Sequence, residues 1–291
     1  MLPLVAASLL WSLSFALIGK IGLDPDTLTV IRLGLAALAF APLARGRGRG
    51  AGSTGRLAAI GGVQFGLMYV LVHRSYAYLA PHEVALLTIT TPIFVVLIAA
   101  LRERRVAARA LLAAVVAVGA ALVLRSRSAT ADADARFWVG FALVQGANAA
   151  FAFGQVAYGR LRRGRSARAA AEDFAWMYLG AFTVAGAVAL FTVDPSSLSL
   201  TGEQALTVLY LGLVPSGLAF YLWNLGATRV RAGVLAVMNN LKIPLAVGVA
   251  LLPPFDGWRT LDSAGAWRLA ASSALLGAAL LIARGQGRVA A

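Results

Sequence analysis

Residues 83–101 read EVALLTITTPIFVVLIAAL, and the chain continues Arg102-Glu103-Arg104-Arg105. After Glu83 the stretch carries no charge as far as Leu101. A helix rising 1.5 Å per residue needs about 20 such residues to cross the hydrocarbon core of a bilayer. Inside lipid every backbone N–H and C=O must be satisfied within the segment or in a closed barrel. No barrel-type alternation is visible, so the stretch reads as a membrane-spanning helix with Pro92 near its middle. The basic run that follows marks its cytoplasmic end.

Nine further apolar runs of the same length lie on either side. Together the ten cover about 2–20, 27–44, 57–79, 83–101, 106–124, 137–158, 174–193, 204–226, 231–252 and 266–284. The composition agrees: of 291 residues, 60% are hydrophobic and 13% charged, where a soluble domain carries about 25% charged. Ten spans leave too little chain for a separate soluble domain. The expected fold class is an all-α polytopic membrane protein.

The net charge of +14 raises the question of nucleic acid, but the basic residues lie in short runs between spans. With the N-terminus inside, the loops around 45–56, 102–109, 160–168, 229–231 and 284–288 hold 17 Lys and Arg, against 7 on the other side. Acidic residues are skewed oppositely, with only Glu103, Glu172 and Asp173 inside. The positive-inside rule therefore puts both termini in the cytoplasm, and nucleic acid is set aside. Cys is absent and His occurs twice, at 73 and 82. That excludes disulfides and thiolate sites and leaves no case for a metal or other cofactor.

The chain also repeats itself weakly. Tyr76-Ala77-Tyr78-Leu79 followed by Val84 to Pro92 has a counterpart in Leu225-Gly226-Ala227-Thr228 followed by Val234 to Pro244. Phe15-Ala16 in span one matches Phe151-Ala152 in span six. Five helices per copy is an odd number, so the second copy, 126–291, must be inverted relative to the first, 1–125. Inverted repeats around a midplane site are a recurrent transporter architecture.

Several of these pieces occur together in a known family. They are Leu10-Trp11-Ser12-Leu13-Ser14-Phe15, the Arg32-containing start of span two, Tyr76-Ala77-Tyr78, and Thr91-Pro92 with Arg102-Glu103-Arg104. The stretch from Tyr210-Leu211-Gly212-Leu213 to Tyr221-Leu222-Trp223 completes the set. The ordered set resembles the EamA family of the drug/metabolite transporter superfamily. That resemblance implies ten helices in two inverted five-helix repeats around a central cavity, and a secondary carrier of small organic metabolites in a bacterial inner membrane. It covers essentially the whole chain. One departure is that Glu103 closes the fourth helix, whereas the equivalent place reads Leu252-Pro253-Pro254-Phe255-Asp256-Gly257.

Among the spans, Lys242 is the most informative residue. An ammonium at bilayer depth costs about 2.5–3.5 kcal/mol on insertion scales and usually faces a cavity or partner. Asn239 shares its helix face, and Pro244 loosens the backbone around Asn240. This cluster suits a substrate carboxylate. A polar stripe in span six holds Gln145, Asn148 and Gln155; such a stripe faces protein or water, not lipid. Gln64 in span three joins it as a cavity candidate, with Trp11, Ser12, Phe15, Tyr76 and Tyr221 as aromatic and polar wall. Arg32 reads as an anchor at the outer interface or, turned inward, as part of an outer vestibule. His73 with Arg74 reads as part of an outer interfacial belt, the alternative being an outer gate lined by Tyr69, Tyr76 and Arg74. Pro92 and Pro244 are the expected bending points. No span carries a mid-membrane carboxylate, which disfavours an acidic proton or sodium carrier. No catalytic constellation is present.

These residues favour export of neutral or aromatic amino acids, the direction resting on the resemblance alone. The alternatives are efflux of drugs or cationic metabolites, an integral membrane enzyme acting on lipid precursors, and a channel. The only partners the pattern calls for are a small-molecule substrate and the lipid bilayer, and a monomer satisfies it.

Overall fold

The computed structural model describes residues 2–44, 51–102, 131–161, 167–227 and 263–284, with isolated positions at 108, 112, 115, 116, 119, 123, 242, 245, 246 and 249. Asn239, Pro244, Glu103 and Asp256 lie outside the described residues, as do most of the fifth and ninth expected spans. All regular structure among the described residues is helical. Six helices are long and apolar enough to cross a membrane: Leu2–Lys20, Pro25–Leu43, Ser53–Ser75, Ala135–Leu161, Arg168–Thr192 and Gly202–Gly226. Leu2, Leu190 and Phe191 are among the large side chains left on the outside of the bundle, as lipid-facing positions require.

The helix starts follow local chemistry. Helix α1 (Leu2–Lys20) turns through Gly22, whose φ of 65° suits a residue without a Cβ. Helix α2 (Pro25–Phe40) begins with Pro25 in its first turn and Asp24 as cap. The Asp24 carboxylate accepts the backbone N–H groups of Asp26 and Thr27 at 3.1 and 2.8 Å. Helix α3 (Ala51–Gly61) runs through a π-helical segment, Gly62–Leu67, into α4 (Met68–Ser75). Helix α5 (Pro81–Leu87) is broken by a 3-10 turn, Thr88–Thr90, before α6 (Thr91–Arg102). The break lies just before Pro92, which sits in the first turn of α6, where a missing N–H costs little.

Helix α7 (Ala131–Leu161) and α8 (Ala167–Thr192) follow. Then α9 (Gly202–Leu211) passes through a second π-helical segment, Gly212–Leu218, into α10 (Ala219–Ala227). Helix α11 is Ser263–Arg284. Pro215 explains the second π segment. It donates no N–H to the Leu211 carbonyl four residues back, and the Ser216 hydroxyl donates to that carbonyl instead, at 2.8 Å.

Helix α8 packs against α2, α3 and the first π segment. The approach is close because it is lined by glycine: a Cβ at Gly61 would overlap the Met177 backbone, and one at Gly180 the Ala58 carbonyl. Small residues at such crossings are the usual means of helix association in lipid. Arg74 donates to both carboxylate oxygens of Asp26, at 2.9 and 2.6 Å, Arg136 to the Ala77 carbonyl, and Gln204 to the Ile21 carbonyl. These contacts place the ends of α1 and α4 with the starts of α2, α7 and α9 at one end of the bundle, the Asp24 end. Towards the opposite end lie Phe40, Phe65, Tyr158, Phe174 and Tyr178 in one aromatic cluster, Phe65 stacking on Tyr178 at 5.1 Å.

Candidate substrate cavity

Between the Asp24 end and that aromatic cluster lies an open-mouthed cavity whose empty space, solvent at the mouth included, is about 670 Å³. Helix α1 contributes Trp11, Ser14, Phe15 and Ile18, and α2 contributes Arg32. Met68, Tyr69, Val72, His73 and Tyr76 come from α4 and its end, and Thr88 and Thr91 from the break between α5 and α6. Ala147, Asn148 and Phe151 of α7, Phe220 of α10 and Lys242 complete the wall. Phe220 also packs on Phe65 at 4.9 Å, so it joins the cavity floor to the aromatic plug.

The polar part of the wall is built around Arg32, which is 1% exposed. Its Nη1 donates to His73 Nε2 at 2.8 Å, its Nε to Ser216 Oγ at 3.2 Å, and its Nη2 to Tyr69 OH at 3.3 Å. The guanidinium also lies 4.7 Å from the Tyr69 ring centroid. Tyr69 OH and Ser216 Oγ are 3.0 Å apart, and Tyr178 OH donates to the Ser216 carbonyl. Trp11 Nε1 donates to the Pro215 carbonyl at 2.9 Å, so the second π segment supplies carbonyls to two aromatic residues. Among the described residues, no hydrogen-bond partner of Arg32 is a carboxylate. The Asp26 carboxylate on the same helix is taken by Arg74.

Lys242 lines the same cavity, its Nζ 5.2 Å from the Trp11 ring centroid. Two cationic side chains and no carboxylate therefore line the cavity among the described residues. Arg32 is buried with no carboxylate beside it among the described residues, and a buried cation placed this way favours an anion.

Of the residues singled out from sequence, Trp11, Phe15, Tyr76, Asn148 and Lys242 come together in the lining. Asn148 does so with its amide already engaged. Its Nδ2 donates to the Leu87 carbonyl at 3.0 Å and to Thr90 Oγ1 at 2.9 Å, and its Oδ1 accepts from Thr91 Oγ1 at 3.1 Å. With Gln145 Oε1 accepting from Thr90 at 2.6 Å, the stripe on α7 braces the helix break.

Four other candidates are not among the lining residues. Ser12 donates to the Leu9 carbonyl, and Gln155 is half-buried on α7. Tyr221 packs towards Phe40 and Phe174. Gln64 is fully buried against Gly154. Arg32 and His73 both lie in the cavity wall, Arg32 in the inward position the sequence left open and His73 away from the interfacial belt expected of it. Tyr69 entered only as an alternative outer-gate residue, and Ser216 was not singled out at all. Their signal is faint, a Tyr four residues before His73 and a Ser directly after a mid-span Pro.

Comparison with known proteins accords with this architecture. Residues 1–126 match the EamA-like transporter family. A protein of Salmonella typhimurium named "Biotin transporter" is 36% identical over 273 residues, 92% of this chain and 90% of the relative. The Escherichia coli K12 "Biotin transporter" is 36% identical over 88% of this chain and 86% of its own length. A "Probable biotin transporter" of Pseudomonas aeruginosa is 39% identical over 86% and 87%. One crystal structure, 21% identical, superposes with a TM-score of 0.65 over 97% of this chain and 95% of the other, which establishes a shared fold. With an all-helical apolar bundle, a cavity within it and relatives matched over nearly their full length, this chain is a membrane transporter belonging to the EamA family of the drug/metabolite transporter superfamily.

Proposed function

We propose that the protein carries a small organic monocarboxylate across a bacterial inner membrane by alternating access, and that this substrate is biotin. The observation that carries the reading is the pairing of Arg32 and Lys242 in one cavity with no lining carboxylate among the described residues. Biotin joins a carboxylate to an uncharged alkyl chain and ureido ring. Arg32 or Lys242 takes the carboxylate, and Trp11, Phe15, Tyr76, Phe151 and Phe220 offer surface to the rest. The names of the relatives point to the same compound.

Export of neutral or aromatic amino acids, the reading favoured by sequence, meets a physical objection here. An amino acid brings an ammonium as well as a carboxylate, and among the described residues this wall offers it two cations and no carboxylate. Cationic drugs meet the same objection more strongly.

The charge bias of the loops supports cytoplasmic termini, which makes the Asp24 end the outer one and the cavity outward-lying. The two π segments support the division into repeats at 1–125 and 126–291, because each falls in the third helix of its half. There Gly66-Leu67-Met68-Tyr69 pairs with Gly217-Leu218-Ala219-Phe220. Pro92 and Pro244 are the hinges on this reading, with Asn239 beside Lys242 on the substrate face. Uptake and efflux of labelled biotin and of a labelled amino-acid panel in proteoliposomes test it. Biotin flux that saturates, with amino acids inert, is the expected result; amino-acid flux without biotin flux overturns it.

A further inference from the structure

The hydrogen bonds around His73 fix both of its ring nitrogens. Thr29 Oγ1 lies 2.7 Å from both the Pro25 carbonyl and His73 Nδ1; with its one hydrogen on the carbonyl, it accepts from Nδ1, the arrangement that the all-donor guanidinium at Nε2 requires. Nδ1 therefore carries a hydrogen. On the other side, Nε2 faces Arg32 Nη1 at 2.8 Å, and a guanidinium has only donors. Nε2 is therefore a bare acceptor, and His73 is neutral in this state.

A proton added at Nε2 would turn that contact into two donors and two cations face to face, at a position 1% exposed. The other titratable or charged groups around it do not relieve this. The Tyr69 ring lies tilted against the imidazole at 5.1 Å between centroids, and Tyr76 lies one turn on. Asp26 on α2 is held by Arg74, Lys242 adds a further cation to the cavity, and Tyr178 approaches only through the Ser216 carbonyl. A ligand carboxylate at Arg32 would change the balance, drawing the guanidinium away from Nε2 and supplying the missing negative charge.

We infer that His73 is the proton-binding site that couples proton movement to substrate movement, one proton accompanying each substrate anion. The inference rests on the monocarboxylate reading above. The proton goes to the Nε2 lone pair, Arg32 transfers its donor from Nε2 to the carboxylate, and the loaded cavity gains no net charge. Because linkage is reciprocal, anion binding and His73 protonation each favour the other. The cycle is then driven by a pH gradient with no carboxylate carrier in any span.

The test uses the full-length protein in proteoliposomes with labelled biotin and an internal pH dye. In the unmodified protein, biotin entry acidifies the lumen, and an inward proton gradient drives accumulation. Its half-saturation concentration rises up to about tenfold per pH unit across the linked range. His73→Gln keeps an acceptor for Arg32 but cannot titrate. Whatever biotin flux this variant supports should be independent of pH and should not follow an imposed proton gradient. If His73→Gln does not fold, the dye signal in the unmodified protein decides alone. Biotin entry with no lumenal acidification, or a His73→Gln variant that still accumulates biotin in response to an inward proton gradient, overturns the coupling and leaves the substrate reading intact. No biotin counterflow at all overturns both.

Discussion

Replacing Arg32 by Met separates a substrate ligand from a structural anchor, because the two roles move affinity and stability differently. Met keeps much of the stem volume and removes the charge. If a substrate carboxylate is held by the guanidinium, losing that charge-assisted hydrogen bond costs about 1.5–3 kcal/mol, roughly a 10- to 150-fold rise in half-saturation. Stability responds through other terms. Ser216 Oγ still donates to the Leu211 carbonyl and Tyr69 OH can still donate to Ser216 Oγ, so neither is orphaned. His73 Nε2 loses its donor, at about 1–3 kcal/mol. Against this, a buried cation with no carboxylate partner is removed, a relief of comparable or greater size.

The melting temperature in detergent should therefore hold within a few degrees or rise, while biotin counterflow needs far more substrate. Arg32→Lys, which keeps charge but loses the rigid fork, should fall between. Unchanged half-saturation with a melting temperature lowered by ten degrees or more would refute the reasoning and make Arg32 an anchor.

Lys242→Met should also raise half-saturation for biotin, and should affect biotin methyl ester far less, since the ester carries no anion; equal losses for both would make Lys242 structural. Pro92→Ala should alter turnover more than half-saturation, because Pro92 contributes no group to the cavity lining and follows the break at Thr88–Thr90; initial-rate counterflow measures the split. Gly180→Ala should destabilise the bundle by a few kcal/mol, since its Cβ would overlap the Ala58 carbonyl and backbone must move to admit it; thermal unfolding reads this, and an unchanged melting temperature contradicts the packing. Cys introduced at Ser53 should resist an impermeant thiol reagent in intact cells and Cys at Ser197 should react, an assay the absence of native Cys keeps clean.

Much of the architecture was legible because lipid imposes so few solutions: runs such as Leu2–Lys20 and Arg168–Thr192 have no alternative to spanning. Lys242 and Asn148 were legible for the same reason, since a charge or amide in an apolar helix must find protein or water. Periodicity says that such a face meets protein, but not which protein. Gln155 and Asn148 share a stripe on α7, yet Asn148 reaches the cavity and Gln155 does not. Arg32 was left between an interfacial anchor and an inward-turned group because its depth along the helix, about five residues, fits both. What draws it inward is Tyr69, His73 and Ser216 from two other helices. The π segments are hard to foresee, since Gly62 and Gly212 look like ordinary small residues. Only Pro215, with Ser216 behind it, hints that the α-helical ladder must shift.

The most direct measurement is a structure of the protein with biotin bound. The account predicts the carboxylate within about 3 Å of the Arg32 guanidinium or the Lys242 ammonium. The ureido ring should lie among Trp11, Phe15 and Phe220. Biotin seated outside this cavity, or within it with its carboxylate turned away from both cations, would contradict the account.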